Sequence, residues 1–241
     1  MKQARAAVAA RTPVTGPGSR PPLVVVVAGT GTDVGKTWVA CQLAALWRDQ
    51  GLAVSARKPA QSFDPRTGEP TDADLLALAT GQTAASVCPP QRWYPIALAP
   101  PMAAEAIGAE PFGLAQLAAE ISWPAGAAIG LVEMAGGLGS PQASDGDAVD
   151  FVQLLAPDCL VLVSGAGLGC LTNIRLAERA LGERQFVVYL NYFDEHDAAH
   201  AANQRWLESH TSTAVCTSVG QLAGTVLQMA SAARTGQAGR P

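Results

Sequence analysis

The chain has 241 residues, of which 49% are hydrophobic and 15% are charged, so it can bury the core of one large domain. Its net charge is −4 and its lysines and arginines are scattered singly, which excludes a basic surface for duplex nucleic acid or an anionic membrane. We therefore expect a small-molecule partner, no nucleic acid and no membrane.

The chain begins with a basic stretch, residues 1–22, that contains no acidic residue. Its apolar run AAVAA is too short for the hydrophobic part of a signal peptide, so we interpret the stretch as a disordered leader, with an organellar transit peptide as the alternative. No apolar run approaches the roughly 18 residues that a membrane-spanning helix needs. The rest is predicted to form a single domain, 23–233, followed by a disordered tail, 234–241.

The cysteines favour a cytoplasmic protein with buried, reduced thiols. They are odd in number, widely spaced and never arranged as Cys-x-x-Cys, so neither a disulfide framework nor a zinc site is indicated. The five are Cys41, Cys88, Cys159, Cys170 and Cys216.

From residue 23 onward, short apolar runs alternate with longer amphipathic ones. The predicted strands are 23–29, 53–60, 127–136, 159–165, 186–191 and, more weakly, 213–218. The predicted helices are 37–49, 72–80, 113–121, 148–156, 173–182, 198–209 and 221–233. This alternation predicts an α/β protein with three layers, α/β/α, and a mostly parallel central sheet. The proline-rich stretch 81–111 has no clear period, and we interpret it as an ordered connection that carries part of a site.

The first predicted strand runs directly into the glycine-rich stretch GTGTDVGKT, residues 29–37. Its glycines let several backbone N–H groups converge on an anion at the start of a helix. Lys36 is then placed to reach phosphate oxygens, and the Thr37 hydroxyl to coordinate Mg²⁺. Five residues rather than four separate Gly29 from Gly35, so the motif is a P-loop variant. The alternative is an ordinary glycine turn with an incidental lysine.

A P-loop needs a carboxylate from a later strand to hold the metal. Glu133 stands at such a strand end, with a chance strand-end acid as the alternative. Asp72 is the other candidate, with a helix N-cap or first-turn acid as its alternative. Lys58 ends the second strand at the same edge and would add positive charge for phosphoryl transfer, with a solvated lysine as the alternative. His196 and His200 have the spacing of a zinc-binding helix, but no third ligand is evident and a polar helix face is favoured.

The motifs together resemble a known family. In order they are GTGTDVGKT, KPAQS, TDADLLAL, YPIALAPPMAA, VEMAGG and GLGCLTNIRLAERAL. Their order and spacing, from residue 23 to about residue 193, are similar to those of the dethiobiotin synthetases of the P-loop NTPase superfamily. Amidoligases and partition ATPases share the P-loop alone. The resemblance implies a homodimeric ligase of biotin biosynthesis that uses ATP, Mg²⁺, CO₂ and 7,8-diaminopelargonate and closes a cyclic urea.

The resemblance also implies the roles of individual residues. The catalytic group would be Lys36, Lys58, Thr32 and Ser62, and Mg²⁺ would be held by Thr37, Asp72 and Glu133. Nucleotide would contact Gly31, Thr32, Asp33, Val34, Gly35, Lys36, Thr37 and Trp38, with Asn191 reading the adenine. Substrate would contact Ser62, Gly136, Gly169, Cys170 and Leu171, the last three in a turn that binds its carboxylate at a helix N-terminus near the dimer interface.

Three departures from the family pattern leave a second hypothesis open. Met134 stands where the family has glycine, Thr172 and Asn173 replace an Asn-His pair, and a Gly-x-Ile-Pro segment is absent before the last helix. If the backbone at Met134 required a positive φ or close approach of substrate, a side chain there would be costly. The alternative is a nucleotide-binding protein of the same fold with another acceptor or a regulatory role.

Overall fold

The structure, a computed structural model, describes residues 18–237, with side chains as far as Ala232. Most of the predicted leader, 1–17, and the end of the predicted tail, 238–241, lie outside the described residues. Arg20 is bound to the domain, because its guanidinium lies 2.9 Å from the Asp158 carboxylate and donates to the Ala156 carbonyl oxygen. The last helix continues to Gln237, beyond the predicted start of the tail, and the single-domain boundary at 23–233 stays a prediction.

Ten strands and nine α-helices are present in residues 18–237. The strands are β1 (Leu23–Gly29), β2 (Val54–Arg57), β3 (Gln61–Ser62), β4 (Trp93–Tyr94), β5 (Ile129–Glu133), β6 (Pro141–Ala143), β7 (Gly146–Asp147), β8 (Cys159–Gly165), β9 (Val187–Asn191) and β10 (Ala214–Cys216). The helices are α1 (Lys36–Asp49), α2 (Asp72–Thr80), α3 (Ala84–Val87), α4 (Pro100–Ala106), α5 (Leu114–Glu120), α6 (Ala148–Leu155), α7 (Cys170–Leu181), α8 (Ala198–His210) and α9 (Val219–Gln237).

A six-stranded parallel sheet forms the centre, in the order β10-β9-β8-β1-β5-β2. Every residue of β1 is buried, and successive residues enter two separate hydrophobic clusters on opposite faces of the sheet. Helices therefore cover both faces, as the continuous apolar strand runs require. The predicted α/β/α fold with a mostly parallel sheet is confirmed.

The connection 81–111 is ordered, as expected, but it contains elements that its sequence did not predict. These are α3, a 3₁₀ turn at Pro90–Arg92, β4 and α4. Helix α4 begins with two prolines, Pro100 and Pro101, which are compatible with a first helical turn because its N–H groups have no partner within the helix. The helix start at Pro100 was therefore not predicted, because its prolines were interpreted as part of a loop.

All five cysteines are free thiols and four are buried, so the expectation of reduced thiols is confirmed. Burial raises the pKa of Cys41, Cys88 and Cys159 to about 12, which makes them poor nucleophiles. No helix within residues 18–237 is long and apolar enough to cross a membrane.

The histidine pair is part of a helix start. The Asp197 side chain caps α8, and the His200 ring accepts a hydrogen bond from the Asp194 N–H. In the described part of the chain, no group of three or more His, Cys, Asp or Glu side chains is disposed to hold a metal ion. His196 and His200 therefore belong to a capped, polar helix end.

Candidate functional site

The glycine-rich turn 29–37 joins β1 to α1 at the carboxyl edge of the sheet. Gly35 has φ 87°, and Asp33 also has a left-handed backbone with φ 57°. The Lys36 ammonium folds back and donates to the Gly31 carbonyl oxygen at 2.9 Å. The turn therefore closes around its own lysine, in the arrangement that presents an ammonium group and backbone N–H groups to a phosphate.

Four side chains converge beside this turn. The Lys58 Nζ lies 2.6 Å from both Asp72 Oδ2 and Glu133 Oε1. The Thr37 Oγ1 lies 2.8 Å from Asp72 Oδ1 and from Glu133 Oε1. Lys58 and Glu133 are completely or almost completely buried, with side-chain exposures of 2% and 0%. The alternative of a solvated Lys58 is thereby excluded. Asp72 does lie in the first turn of α2, as its alternative expected, and it contacts Lys58 and Thr37 as well.

The cluster fits a divalent cation such as Mg²⁺. A hydroxyl has one hydrogen, so Thr37 can satisfy only one of the two carboxylate oxygens that lie 2.8 Å from it. In addition, Glu133 Oε2 is buried with no hydrogen-bond partner. Hard carboxylate and hydroxyl oxygens are the ligands that Mg²⁺ prefers, and it completes its shell with water and substrate phosphates.

The pKa values reflect one ammonium facing two carboxylates. Burial raises the pKa of Glu133, although Lys58 opposes this effect. Burial acts in the same direction on Asp72, but the Lys58 charge and the hydrogen bonds from Lys58 and Thr37 outweigh it and lower the Asp72 pKa. For Lys58 the burial penalty is exceeded by the two carboxylates, so its pKa is raised. Burial, assisted by Lys58, lowers the pKa of Lys36.

Two contacts, one buried and one exposed, hold the start of α2 in place. The Gln61 side chain, 1% exposed, accepts a hydrogen bond from the Ala73 N–H in the first turn of α2. Thr71 closes a capping box with Asp74 at the same helix start. The start of α2, which carries Asp72, is therefore fixed from both sides. Sequence reasoning missed Gln61, although it lies in the KPAQS motif.

The glycine turn after β5 packs directly on the P-loop. The Leu138 N–H donates to the Gly29 carbonyl oxygen, and a Cβ on Gly137 would lie 3.0 Å from the Gly31 Cα. The buried Gln142 amide both accepts from the Ala135 N–H and donates to the Ala135 carbonyl oxygen. Gln142 thus holds this turn, and no motif in the sequence indicated that role.

The end of β9 contacts the P-loop from the other side. The Asn191 side-chain amide donates to the Val34 carbonyl oxygen at 3.0 Å. A Cβ on Gly35 would collide with this amide nitrogen. Glycine is therefore required at position 35 both by its left-handed backbone and by the close approach of Asn191.

We expect Gly35→Ala to lower the free energy of unfolding more than Gly51→Ala does. Gly51 has a similar φ of 80° but open space around its Cβ, so it reports only the left-handed backbone penalty of about 1–2 kcal/mol. The excess at Gly35 measures the collision with Asn191, and urea unfolding of both variants checks it. Equal losses for the two variants would contradict the contact between the P-loop and β9.

A family model described as an AAA domain matches residues 24–224. The ATP-dependent dethiobiotin synthetase of Haloferax mediterranei is 37% identical over 201 residues, which cover 79% of this chain and 81% of that protein. The corresponding proteins of Caulobacter vibrioides and Frankia casuarinae are 38% and 39% identical, over 66% and 77% of this chain and 73% and 78% of theirs. The chain belongs to the dethiobiotin synthetase family.

Among solved structures, the signal recognition particle receptor FtsY of Elizabethkingia anophelis has a TM-score of 0.48 and 13% identity, covering 92% of this chain and 69% of that chain.

Most other residues that the dethiobiotin synthetase pattern assigns to nucleotide or substrate lie at loop surfaces. Thr32, Asp33 and Trp38 are exposed on the P-loop and the first turn of α1. The Ser62 hydroxyl is held by the Leu98 carbonyl oxygen at 2.5 Å, which ties the 81–111 connection to the site. Gly136 has φ 62° in the glycine turn.

The predicted carboxylate-binding turn precedes α7 at the carboxyl end of β8. Gly169 is the helix N-cap, with φ 87°, and is exposed. The Cys170 thiol is buried and points to the Ala166 carbonyl oxygen, so a ligand could meet only the backbone of this residue. Leu171 is partly buried, and Thr172 and Asn173 are exposed beside it.

Met134, the residue that departs from the glycine of dethiobiotin synthetases, is accommodated without strain. Its φ is not positive. Its side chain is 0% exposed and lies within the hydrophobic cluster that includes Val132 and Leu162. Glu133, the preceding residue, faces the P-loop. The side chain of Met134 therefore fills core volume on the opposite face of the sheet.

We expect Met134→Ala to lower the free energy of unfolding by about 2–5 kcal/mol, because it leaves a cavity in the core. Met134→Leu, which keeps the volume, should cost less than about 1.5 kcal/mol. Urea unfolding measures both, and titration with an ATP analogue should give the same affinity for all three proteins. Weaker nucleotide binding at unchanged stability would mean that Met134 lines the site.

Proposed function

We propose that this chain converts 7,8-diaminopelargonate, CO₂ and ATP to dethiobiotin, ADP and phosphate with the help of Mg²⁺. The reaction is that of an ATP-dependent ligase, and family membership supports it. The observation that carries the proposal is the second lysine. Lys58 is buried between Asp72 and Glu133, next to the P-loop threonine, and a domain that only binds nucleotide would not need it.

In this reaction the protein has to position the reactants and neutralise their negative charge. One amine of the substrate forms a C–N bond with CO₂ and loses a proton, which gives a carbamate. A carbamate oxygen attacks the γ-phosphorus and displaces ADP. The second amine then attacks the carbonyl carbon of the mixed anhydride, expels phosphate and closes the ring. These steps require fixed positive charge and aligned groups rather than a protein nucleophile.

The lysines would supply most of that charge. Lys36, freed from the Gly31 carbonyl oxygen, would donate to the β- and γ-phosphate oxygens. Lys58 would stabilise the transferring phosphoryl group and the carbamate. The hydroxyls of Thr32 and Ser62 would contact the reacting groups at the same edge of the sheet.

The oxygen cluster would hold the metal. Thr37, Asp72 and Glu133 would bind Mg²⁺, which neutralises phosphate charge when bound. Lys58 already contacts the carboxylates of Asp72 and Glu133, so a bound Mg²⁺ would share these two carboxylates with the lysine. An ammonium group thus occupies the position where positive charge is needed.

The remaining contacts with nucleotide and substrate would come from loops at the carboxyl edge of the sheet. Asn191 would contact the adenine, and Gly136 and the turn with Gly169, Cys170 and Leu171 would contact the substrate. We also propose a cytoplasmic homodimer, with this turn near the subunit interface, and neither nucleic acid nor membrane as a partner.

Mass-spectrometric detection of dethiobiotin tests the proposed function. Purified protein is incubated with 7,8-diaminopelargonate, bicarbonate and MgATP beside Lys36→Ala as the matched control. Product from the parent chain and none from the variant is the expected result. Binding of ATP without product under any nucleotide would overturn the proposal and favour another acceptor or a regulatory role.

A further inference from the structure

An aromatic side chain stands exposed beside the P-loop, and none of the roles above uses it. Tyr192 directly follows β9, is 67% exposed and has φ 58°. A Cβ on Gly35 would lie 3.2 Å from the Tyr192 hydroxyl, so the ring reaches across to the phosphate-binding turn. A left-handed backbone is unfavourable for a residue with a side chain, and such strain is frequent at ligand-binding positions.

The strand order gives the bound nucleotide a direction. Strands β5 and β2 lie on one side of β1, and β8, β9 and β10 lie on the other. The cluster of Lys58 and Glu133 stands at the ends of β2 and β5. If the terminal phosphate lies at this cluster, as the proposed function requires, the nucleoside extends toward the ends of β9 and β10. Tyr192 occupies that position.

Tyr192 is carried on a firmly attached piece of backbone. Its neighbour Asn191 donates from the side chain to the Val34 carbonyl oxygen and accepts at its own carbonyl from the Ala166 N–H at 3.1 Å. The end of β9 is therefore tied to both the P-loop and the β8 loop. A ring on this backbone can present a flat face without paying much conformational entropy.

We propose that the Tyr192 ring stacks on the base of the bound nucleotide. Stacking of a base on an aromatic ring contributes about 1–3 kcal/mol on alanine substitution and tolerates different bases. The contact would supply base binding in a chain that lacks the Gly-x-Ile-Pro segment expected before α9. Tyr192 would thus set affinity for the nucleoside part of the molecule, while the P-loop sets affinity for the phosphates. The inference rests on the proposed function for the direction of the nucleotide.

Calorimetric titration with two ligands separates the contribution of the base to affinity from that of the phosphates. One ligand is a non-hydrolysable ATP analogue and the other is inorganic tripolyphosphate, which has no base. Tyr192→Ala should raise the Kd of the analogue by about 5- to 150-fold and leave the Kd of tripolyphosphate within twofold. Tyr192→Phe, the matched control, should keep the parent affinity for both ligands because it keeps the ring.

Three results would overturn stacking. Equal weakening of both ligands by Tyr192→Ala would mean that Tyr192 supports the P-loop through Gly35. Loss of analogue binding in Tyr192→Phe would assign the effect to the hydroxyl rather than to the ring. An unchanged analogue Kd in Tyr192→Ala would leave the base without this contact. Since binding is measured without 7,8-diaminopelargonate, failure to form dethiobiotin tests the proposed function separately.

Discussion

Replacement of Lys36 by methionine is expected to lower kcat/KM for dethiobiotin formation by about 10³-fold, because one preorganised cation at a transferring phosphoryl group contributes 10²- to 10⁵-fold. Its ammonium donates to the Gly31 carbonyl oxygen, while the nearby carboxylates of Asp72 and Glu133 are already paired with Lys58. Removing the Lys36 charge therefore leaves no carboxylate without its nearest cation. We expect the free energy of unfolding to change by less than about 1 kcal/mol.

Steady-state kinetics and urea unfolding of the same Lys36→Met preparation check this pair of expectations. The methionine keeps the length of the side chain, so the change is mainly one of charge. A variant that retains a tenth or more of the parent kcat/KM would remove Lys36 from phosphoryl transfer. A large loss of stability would instead show that the lysine is a structural part of the turn.

Replacement of Lys58 by methionine, unlike that of Lys36, is expected to lower the free energy of unfolding strongly. The variant leaves Asp72 and Glu133 facing each other without the ammonium that lies 2.6 Å from both. Removing one partner of a buried ion pair typically costs about 3–5 kcal/mol, because the remaining charge is buried and uncompensated. We therefore expect a loss of that size in urea unfolding, together with loss of dethiobiotin formation.

A double variant provides the control for Lys58. Lys58→Met combined with Glu133→Gln removes one buried negative charge together with the positive one, so it should be more stable than Lys58→Met alone. With the parent and the single variant Glu133→Gln, the two Lys58 variants form a double-mutant cycle. The coupling free energy between Lys58 and Glu133 from these four proteins should exceed about 1 kcal/mol in favour of the native pair. If Lys58→Met were as stable as the parent, the ion pairs at this cluster would not be formed in solution.

The two lysines differ in what holds them in the folded protein. Lys36 is held by a backbone carbonyl oxygen and is available to a ligand that replaces it. Lys58 is part of the folded core of the site, where it compensates carboxylates that are also suited to a metal ion. Under the proposed function, a charge that stabilises the folded protein would also lie where negative charge develops during the reaction.

Much of this molecule was predictable from local sequence. The apolar runs predicted the six strands of the central sheet, and the stretch GTGTDVGKT predicted the turn that holds Lys36 and Thr37. Both predictions depend on residues that are neighbours in the chain, where hydrophobic periodicity and glycine conformations act directly. Helix α4 was missed because its two opening prolines resemble a loop, although proline is compatible with a first helical turn.

The tertiary structure decided which distant side chains meet. Thr37 and Glu133 are 96 positions apart and Lys58 and Glu133 are 75 apart, yet the order β1-β5-β2 brings their oxygen and nitrogen atoms within 2.8 Å. The same order decided that Met134 enters the core while its neighbour Glu133 faces the P-loop. A sequence pattern specifies the period of an element, whereas contacts across a sheet depend on strand order, register and the face on which each side chain emerges.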